Sequence, residues 1–315
     1  MKPHLLLPLL LLWLSPAIAS RGDDLQEFKD CVSNCITTNC DSPTPTTIPL
    51  HLRLLLWTCP QECDYACQRL ITSSRITSGL PVEQFHGKWP FRRLLGVQEP
   101  FSVLFSILNG LAHYRGLQSL RSELPRKYPL MTYYTWFSYI GMICWFFSAL
   151  FHTRDFIATE RLDYFGAGAN VMYGLFYCPI RIFRLYRPSY RHLIKPWAYL
   201  CLACYLAHVY YLQFVTWDYT YNMAANVVVG SISNLLWTWF SIRQYGKMKK
   251  VWAAWPGLIV TWLILAMSLE LLDFPPWGDA LDAHALWHAM TILPAVWWYR
   301  FLVRDGRGNV EWGKA

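Results

Sequence analysis

Between residues 99 and 304 the chain returns seven times to apolar stretches close to the thickness of a bilayer, and no other feature restricts its fold as much. The stretches centre on FSVLFSILNGLAHY, YYTWFSYIGMICWFFSALF, YFGAGANVMYGLFYCPI, PWAYLCLACYLAHVYYLQF, NMAANVVVGSISNLLWTWF, WPGLIVTWLILAMSLELL and HALWHAMTILPAVWWYRFL. A spanning helix needs ~20 such residues. Asn109, His113 and the glycines dilute the first and third stretches, which are individually marginal as spans. Composition agrees, because 54% of the 315 residues are hydrophobic and only 15% are charged, more apolar surface than a soluble domain needs. The expected class is all-α, a seven-transmembrane helix bundle over residues 99–304.

The start, MKPHLLLPLLLLWLSPAIAS, has a short basic head, an apolar core too brief to span, and small residues Ala17 and Ala19 at cleavage spacing. These features predict a secretory signal peptide over 1–19. A first membrane anchor is the alternative, disfavoured by Pro16 and by the switch to RGDD. Residues 20–98 hold no long apolar run but six of the ten cysteines, grouped as Cys31, Cys35, Cys40 and Cys59, Cys63, Cys67. An even count behind a secretory leader favours disulfides over a metal cluster and places this segment in an oxidising lumen. All 15 pairings stay open. Cys144, Cys178, Cys201 and Cys204 fall in apolar runs and are expected to be small core residues.

Charge then orients the chain, since short cytoplasmic loops are enriched in Lys and Arg. Arg115, Arg121, Arg126 and Lys127 follow the first stretch; Arg181, Arg184, Arg187, Arg191 and Lys195 follow the third; Arg243, Lys247, Lys249 and Lys250 follow the fifth. The loops after the second, fourth and sixth stretches carry only Arg154 and Arg161 as basic residues. This alternation predicts a lumenal N-terminus and a cytosolic tail over 305–315. Lys88, Arg92 and Arg93 dissent, lying just before the first stretch on the lumenal side. The net charge of +8 then belongs to loops facing anionic lipid, not to a nucleic-acid surface.

With orientation set, ionisable residues can be placed by depth, and at membrane level each is a functional hypothesis. Ser148 and His152 are four apart at the lumenal end of the second stretch, hence on one helix face. Asp163 heads the third stretch. His284 and His288, again four apart, head the seventh. Three imidazoles from two faces suit a catalytic Zn2+ with an open fourth position. There Asp163 would accept or relay a water proton, and Ser148 would bond a carbonyl oxygen gaining charge. A rival scheme makes Ser148 a nucleophile with His152 as its base, but it leaves His284 and His288 without a role.

SALFHT at 148–153, LDYFGA at 162–167 and LDAHALWH at 281–288, together with QFHGKWPF at 84–91 and ELLDFPP at 270–276, resemble the Per1-like family of GPI-anchor lipid remodelling hydrolases. That family sits in the CREST superfamily of seven-span membrane hydrolases. The likeness covers the mature chain, with the pattern of Ser, His, Asp and paired His falling on Ser148, His152, Asp163, His284 and His288. It implies phospholipase A2-type removal of the unsaturated sn-2 acyl chain from the inositol phospholipid of GPI-anchored proteins, with Zn2+ as cofactor, in the endoplasmic reticulum or Golgi membrane. The same superfamily chemistry on an amide would make the protein a ceramide amidase. Intramembrane histidines also serve receptors and metal transporters, though a transport path needs polar groups at more than one edge.

Other polar residues carry expectations too. His113 and His208 are read as interhelical bonding or packing residues, and His86 as a surface residue. Asn109, Asn170, Asn226 and Asn234 are read as helix-to-helix hydrogen-bonding residues. Glu270 and Asp273 are expected in lumenal pairing, with an orienting role for Glu270 toward a histidine as the alternative. Asp282 is expected to cap the last helix.

Overall fold

The computed structural model describes residues 20–41 and 47–312, so the predicted signal peptide lies outside the described residues. The chain divides into two compact units, one of residues 1–99 with 274–281, the other of residues 100–273 with 282–315. Helices dominate both, and among the described residues only isolated bridges are extended pairings.

In the first unit, α1 (Arg21–Asp24), α2 (Gln26–Asn39), α3 (Leu50–Leu54) and α4 (Cys59–Thr77) follow in order. Cysteines at intervals of about one turn put three sulfurs on one side of α2 and three on one side of α4. They pair as Cys31–Cys67, Cys35–Cys63 and Cys40–Cys59. As one partner advances the other retreats, so the disulfides are rungs between antiparallel helices, and the pairing left open by spacing is settled as nested. Pro60 in the first turn and the Gln61 side chain, which accepts from the Thr58 amide at 3.0 Å, start α4. Phe28, Ile71 and Phe85 close a small core against the Cys31–Cys67 bridge.

The dissenting basic residues before the first apolar stretch have a local explanation. Lys88 pairs with Glu99 at 2.8 Å and Arg93 with Glu62 at 2.6 Å. The Arg92 amide donates to the Asp279 carbonyl at 2.7 Å, while Asp279's carboxylate takes Arg69 at 2.5 Å. The Arg93 guanidinium also lies 3.3 Å from the centre of the Trp57 ring. Lys88 and Arg93 are thus both paired within this unit.

The second unit holds α5 (Pro100–Glu123), α6 (Met131–Thr153), α7 (Ile157–Ile182), α8 (Ile194–Tyr210), α9 (Tyr219–Met248), α10 (Trp255–Leu272) and α11 (Ala283–Trp312). Among the described residues, three segments, 131–153, 191–215 and 251–270, are long and apolar enough to cross a membrane. The helices α5, α7, α9 and α11 run 24, 26, 30 and 30 residues, long enough to cross but diluted by polar side chains. Neighbour packing runs α5–α6–α7–α9–α10–α11 and back to α5, a closed ring, with α8 set outside against α7.

Helix ends follow local chemistry. Asp218 accepts the Tyr221 amide at 3.0 Å to begin α9. Asp282 accepts the Ala285 amide at 2.8 Å, which is the cap expected for α11. Toward the ends of α7 and α11 remote from the capped start of α11, the ring is filled with aromatic side chains. Trp237 meets Trp298 edge-on at 4.8 Å, and Trp298 donates to the Tyr177 hydroxyl at 2.7 Å. A buried ion pair, Arg181 with Asp305, ties α7 to α11 in the same region. Cys144, Cys178 and Cys201 are buried as expected, whereas Cys204 is exposed on the peripheral α8.

Candidate metal centre

Three imidazoles meet at one end of this ring. His152 stands on the last turn of α6 and His284 and His288 on the first turns of α11; one nitrogen from each lies within 4.8 Å of the others. His152 Nε2 and His284 Nε2 are 3.3 Å apart. Nitrogens bound to a tetrahedral ion at ~2.0–2.1 Å stand about 3.3–3.4 Å from one another, so this edge already has the spacing that a zinc ion demands. His152 and His288 are 2% and 4% exposed, while the His284 side chain keeps 35%, so the cluster opens on the His284 side.

Hydrogen bonds decide which nitrogens face inward. His284 Nδ1 donates to Glu270 Oε2 of α10 at 2.7 Å, leaving Nε2 as the lone-pair donor. Glu270 is itself held by the Tyr219 hydroxyl of α9 at 3.2 Å. For His288 the decisive residue is Ser106 of α5. Its hydroxyl donates to the Ser102 carbonyl at 2.7 Å, so its single proton is used, and it must accept from His288 Nδ1 at 3.0 Å. It accepts in the same way from Ser148 Oγ, also at 3.0 Å. Each of these two histidines thus turns an unprotonated Nε2 toward the cluster. Asn109 donates to the His288 carbonyl at 2.8 Å, and Trp145 meets the His288 ring edge-on at 5.2 Å.

The five residues singled out from sequence are therefore placed as follows. His152, His284 and His288 form the cluster; Ser148 reaches His288 through Ser106; Asp163 lies half-buried in the second turn of α7, outside the three-imidazole group. Glu270 takes the orienting role that was its alternative reading. His113 makes the interhelical bond expected of it, to the Tyr299 hydroxyl at 2.8 Å. His208 packs on Tyr221 with ring centres 5.4 Å apart.

Ser106 was missed, although a signal for it exists. Ser102, Ser106, Asn109 and His113 recur at intervals of four, three and four, a polar stripe on an otherwise apolar helix, and all four are buried. A cavity of about 290 Å³ starts beside this stripe, lined by Asn109, Thr291 and Trp145 near His288 and by Tyr177, Trp237 and Trp298 deeper in.

The donor set describes a group of three imidazoles able to hold a divalent cation. Known proteins give the comparison its direction. The family model described as Per1-like family matches residues 49–306. The Schizosaccharomyces pombe "Protein PER1 homolog" is 41% identical over 289 residues, covering 91% of this chain and 87% of that protein. The "GPI-specific phospholipase A2-like PGAP3" proteins of Danio rerio and Homo sapiens are 39% and 35% identical, each over 92% of this chain and over 92% and 90% of their own lengths.

Proposed function

This chain belongs to the Per1-like family, and from that premise we propose that it is a membrane ester hydrolase that remodels GPI anchors. It takes the sn-2 acyl chain from the inositol phospholipid of GPI-anchored proteins and leaves a lyso-GPI. The observation that carries this reading is the convergence of His152, His284 and His288, with His284 and His288 each oriented through its far nitrogen. The phospholipase names borne by its relatives support the substrate.

In this reading His152, His284 and His288 would hold Zn2+. Bound there, the ion would supply Lewis acidity, polarising an ester carbonyl and lowering the pKa of a water. Asp163 accepts the proton that water loses on adding to the carbonyl carbon, and the proton returns to the glyceryl oxygen as the acyl C–O bond breaks. Ser148 turns its hydroxyl from Ser106 to the carbonyl oxygen as that oxygen gains charge. The cavity beside Asn109 and Thr291 receives the first part of the released chain.

The topology that suits this chemistry has seven spans over 99–304, a signal peptide over 1–19, a lumenal segment over 20–98 and a cytosolic tail over 305–315. The protein then sits in the endoplasmic reticulum membrane, with the Golgi as the alternative, and its sn-2 esters lie just below the lumenal headgroups. In cells lacking the protein, re-expressed His288→Ala and Asp163→Ala variants are expected to reach the membrane and leave the unsaturated sn-2 chain on GPI lipids, read by mass spectrometry. Full remodelling by both variants would contradict the proposal, as would accumulation of ceramide with normal GPI lipids.

A further inference from the structure

At the end of the second unit opposite the imidazoles, α5 and α11 flank a cavity of about 590 Å³. Among the described residues its charged wall is Arg115 of α5 with Arg300, Arg304 and Arg307 of α11, against one carboxylate, Glu123. Arg307 engages that carboxylate at 2.6 Å, so the lining retains an excess of about three positive charges. Guanidinium groups converging from two helices match phosphate oxygens, which they bind in pairs of parallel hydrogen bonds.

What lies beside the cavity narrows the ligand. On α11, Leu293, Trp297, Arg300, Arg304 and Arg307 follow at intervals of four, three, four and three, which puts them on one helix face, and all are exposed. On α5, Leu104, Leu108, Leu111 and Arg115 repeat the pattern, again exposed. Both faces change from apolar to cationic near the cavity, roughly 24 Å along α11 from His288 to Arg304. A free phosphate would need the arginines alone. A glycerophospholipid would use both parts, laying its chains on the leucines and its headgroup among the guanidinium groups.

We propose that this cavity binds the headgroup of an anionic phospholipid in the leaflet opposite the imidazole cluster, with preference for a headgroup bearing several phosphates. The site rests on the spanning of α5 and α11 and is independent of the hydrolase chemistry. The test is native mass spectrometry of the full-length protein titrated with dioctanoyl phosphatidylinositol bisphosphate, dioctanoyl phosphatidylcholine and soluble inositol trisphosphate. The bisphosphate lipid is expected to bind at least about tenfold more tightly than either comparator, and Arg300→Gln/Arg304→Gln to weaken it roughly thirtyfold. Should the double variant fold poorly, Arg115→Gln on the other helix reads the same site, with a loss of about fivefold. Equal binding of the two lipids, affinity unchanged in the variants, or equal affinity for soluble inositol trisphosphate would each overturn the proposal. Protease protection of a tag after α11 scores the spanning separately, so a wrong topology and a wrong site give different results.

Discussion

At the scale of single residues, Ser106 sets the tautomer of His288 without itself belonging to the imidazole cluster. One hydroxyl has one proton, and the Ser102 carbonyl takes it, so His288 Nδ1 and Ser148 Oγ must both donate to the same oxygen. Ser106→Ala should weaken zinc binding about 10- to 100-fold, and Glu270→Gln should act similarly through His284. Competition with a chromophoric chelator measures both; unchanged affinity in both variants would remove the orienting roles. The histidine pair was legible because i, i+4 spacing defines a face, whereas Ser106 was not, since a lone serine in a spanning stretch costs little and signals little. Only beside Ser102, Asn109 and His113 does it become a stripe.

A second residue-scale outcome concerns pH. His86 lies 2.8 Å from Asp64 and 3.4 Å from Asp23, and its pKa is raised above the ordinary 6.5, chiefly by the hydrogen bond to Asp64 and against partial desolvation. The folded state holds this proton more tightly than the unfolded chain. The stability it adds is therefore fully present below about pH 6.5 and is lost as pH rises through the higher folded-state value. The backbone there is left-handed, φ +50°, which asparagine tolerates. The gap in melting temperature between the wild type and His86→Asn, present at about pH 6, should narrow as pH rises above the ordinary histidine range; a gap that widens with pH would contradict the assignment.

At the scale of elements, two kinds of contact hold the helices at fixed distances. In the first unit the disulfide rungs join α2 to α4, and opening the middle one with Cys35→Ser/Cys63→Ser should cost about 2–4 kcal/mol, read as a lower melting temperature. In the second unit Gly116 lets α5 press on α11, where a Cβ would stand 2.2 Å from the Tyr299 ring. That ring is tethered through its hydroxyl to His113 and has little room to swing aside. Gly116→Ala should therefore destabilise the protein by about 1–3 kcal/mol in a detergent melt; a melting temperature equal to wild type would show that the contact yields. The helices themselves were readable from apolar length. The rung order and the glycine contact were not, because both depend on which faces meet, and single-helix spacing leaves that open.

On the scale of the whole molecule, the second unit has two unlike ends. Hydrogen bonds and imidazoles gather at one, while the other is packed with aromatic rings, closed by the Arg181–Asp305 pair and fringed with arginine. Of the charges that dissented, Lys88 and Arg93 are paired within the first unit. The proposed hydrolase requires the imidazole cluster to be a working metal centre, and elemental analysis of purified protein, paired with release of fatty acid from a GPI lipid, tests that directly. Wild type should carry about one zinc per chain and release fatty acid, and His284→Ala should lose both. Wild type that hydrolyses the lipid with no bound metal would contradict the account.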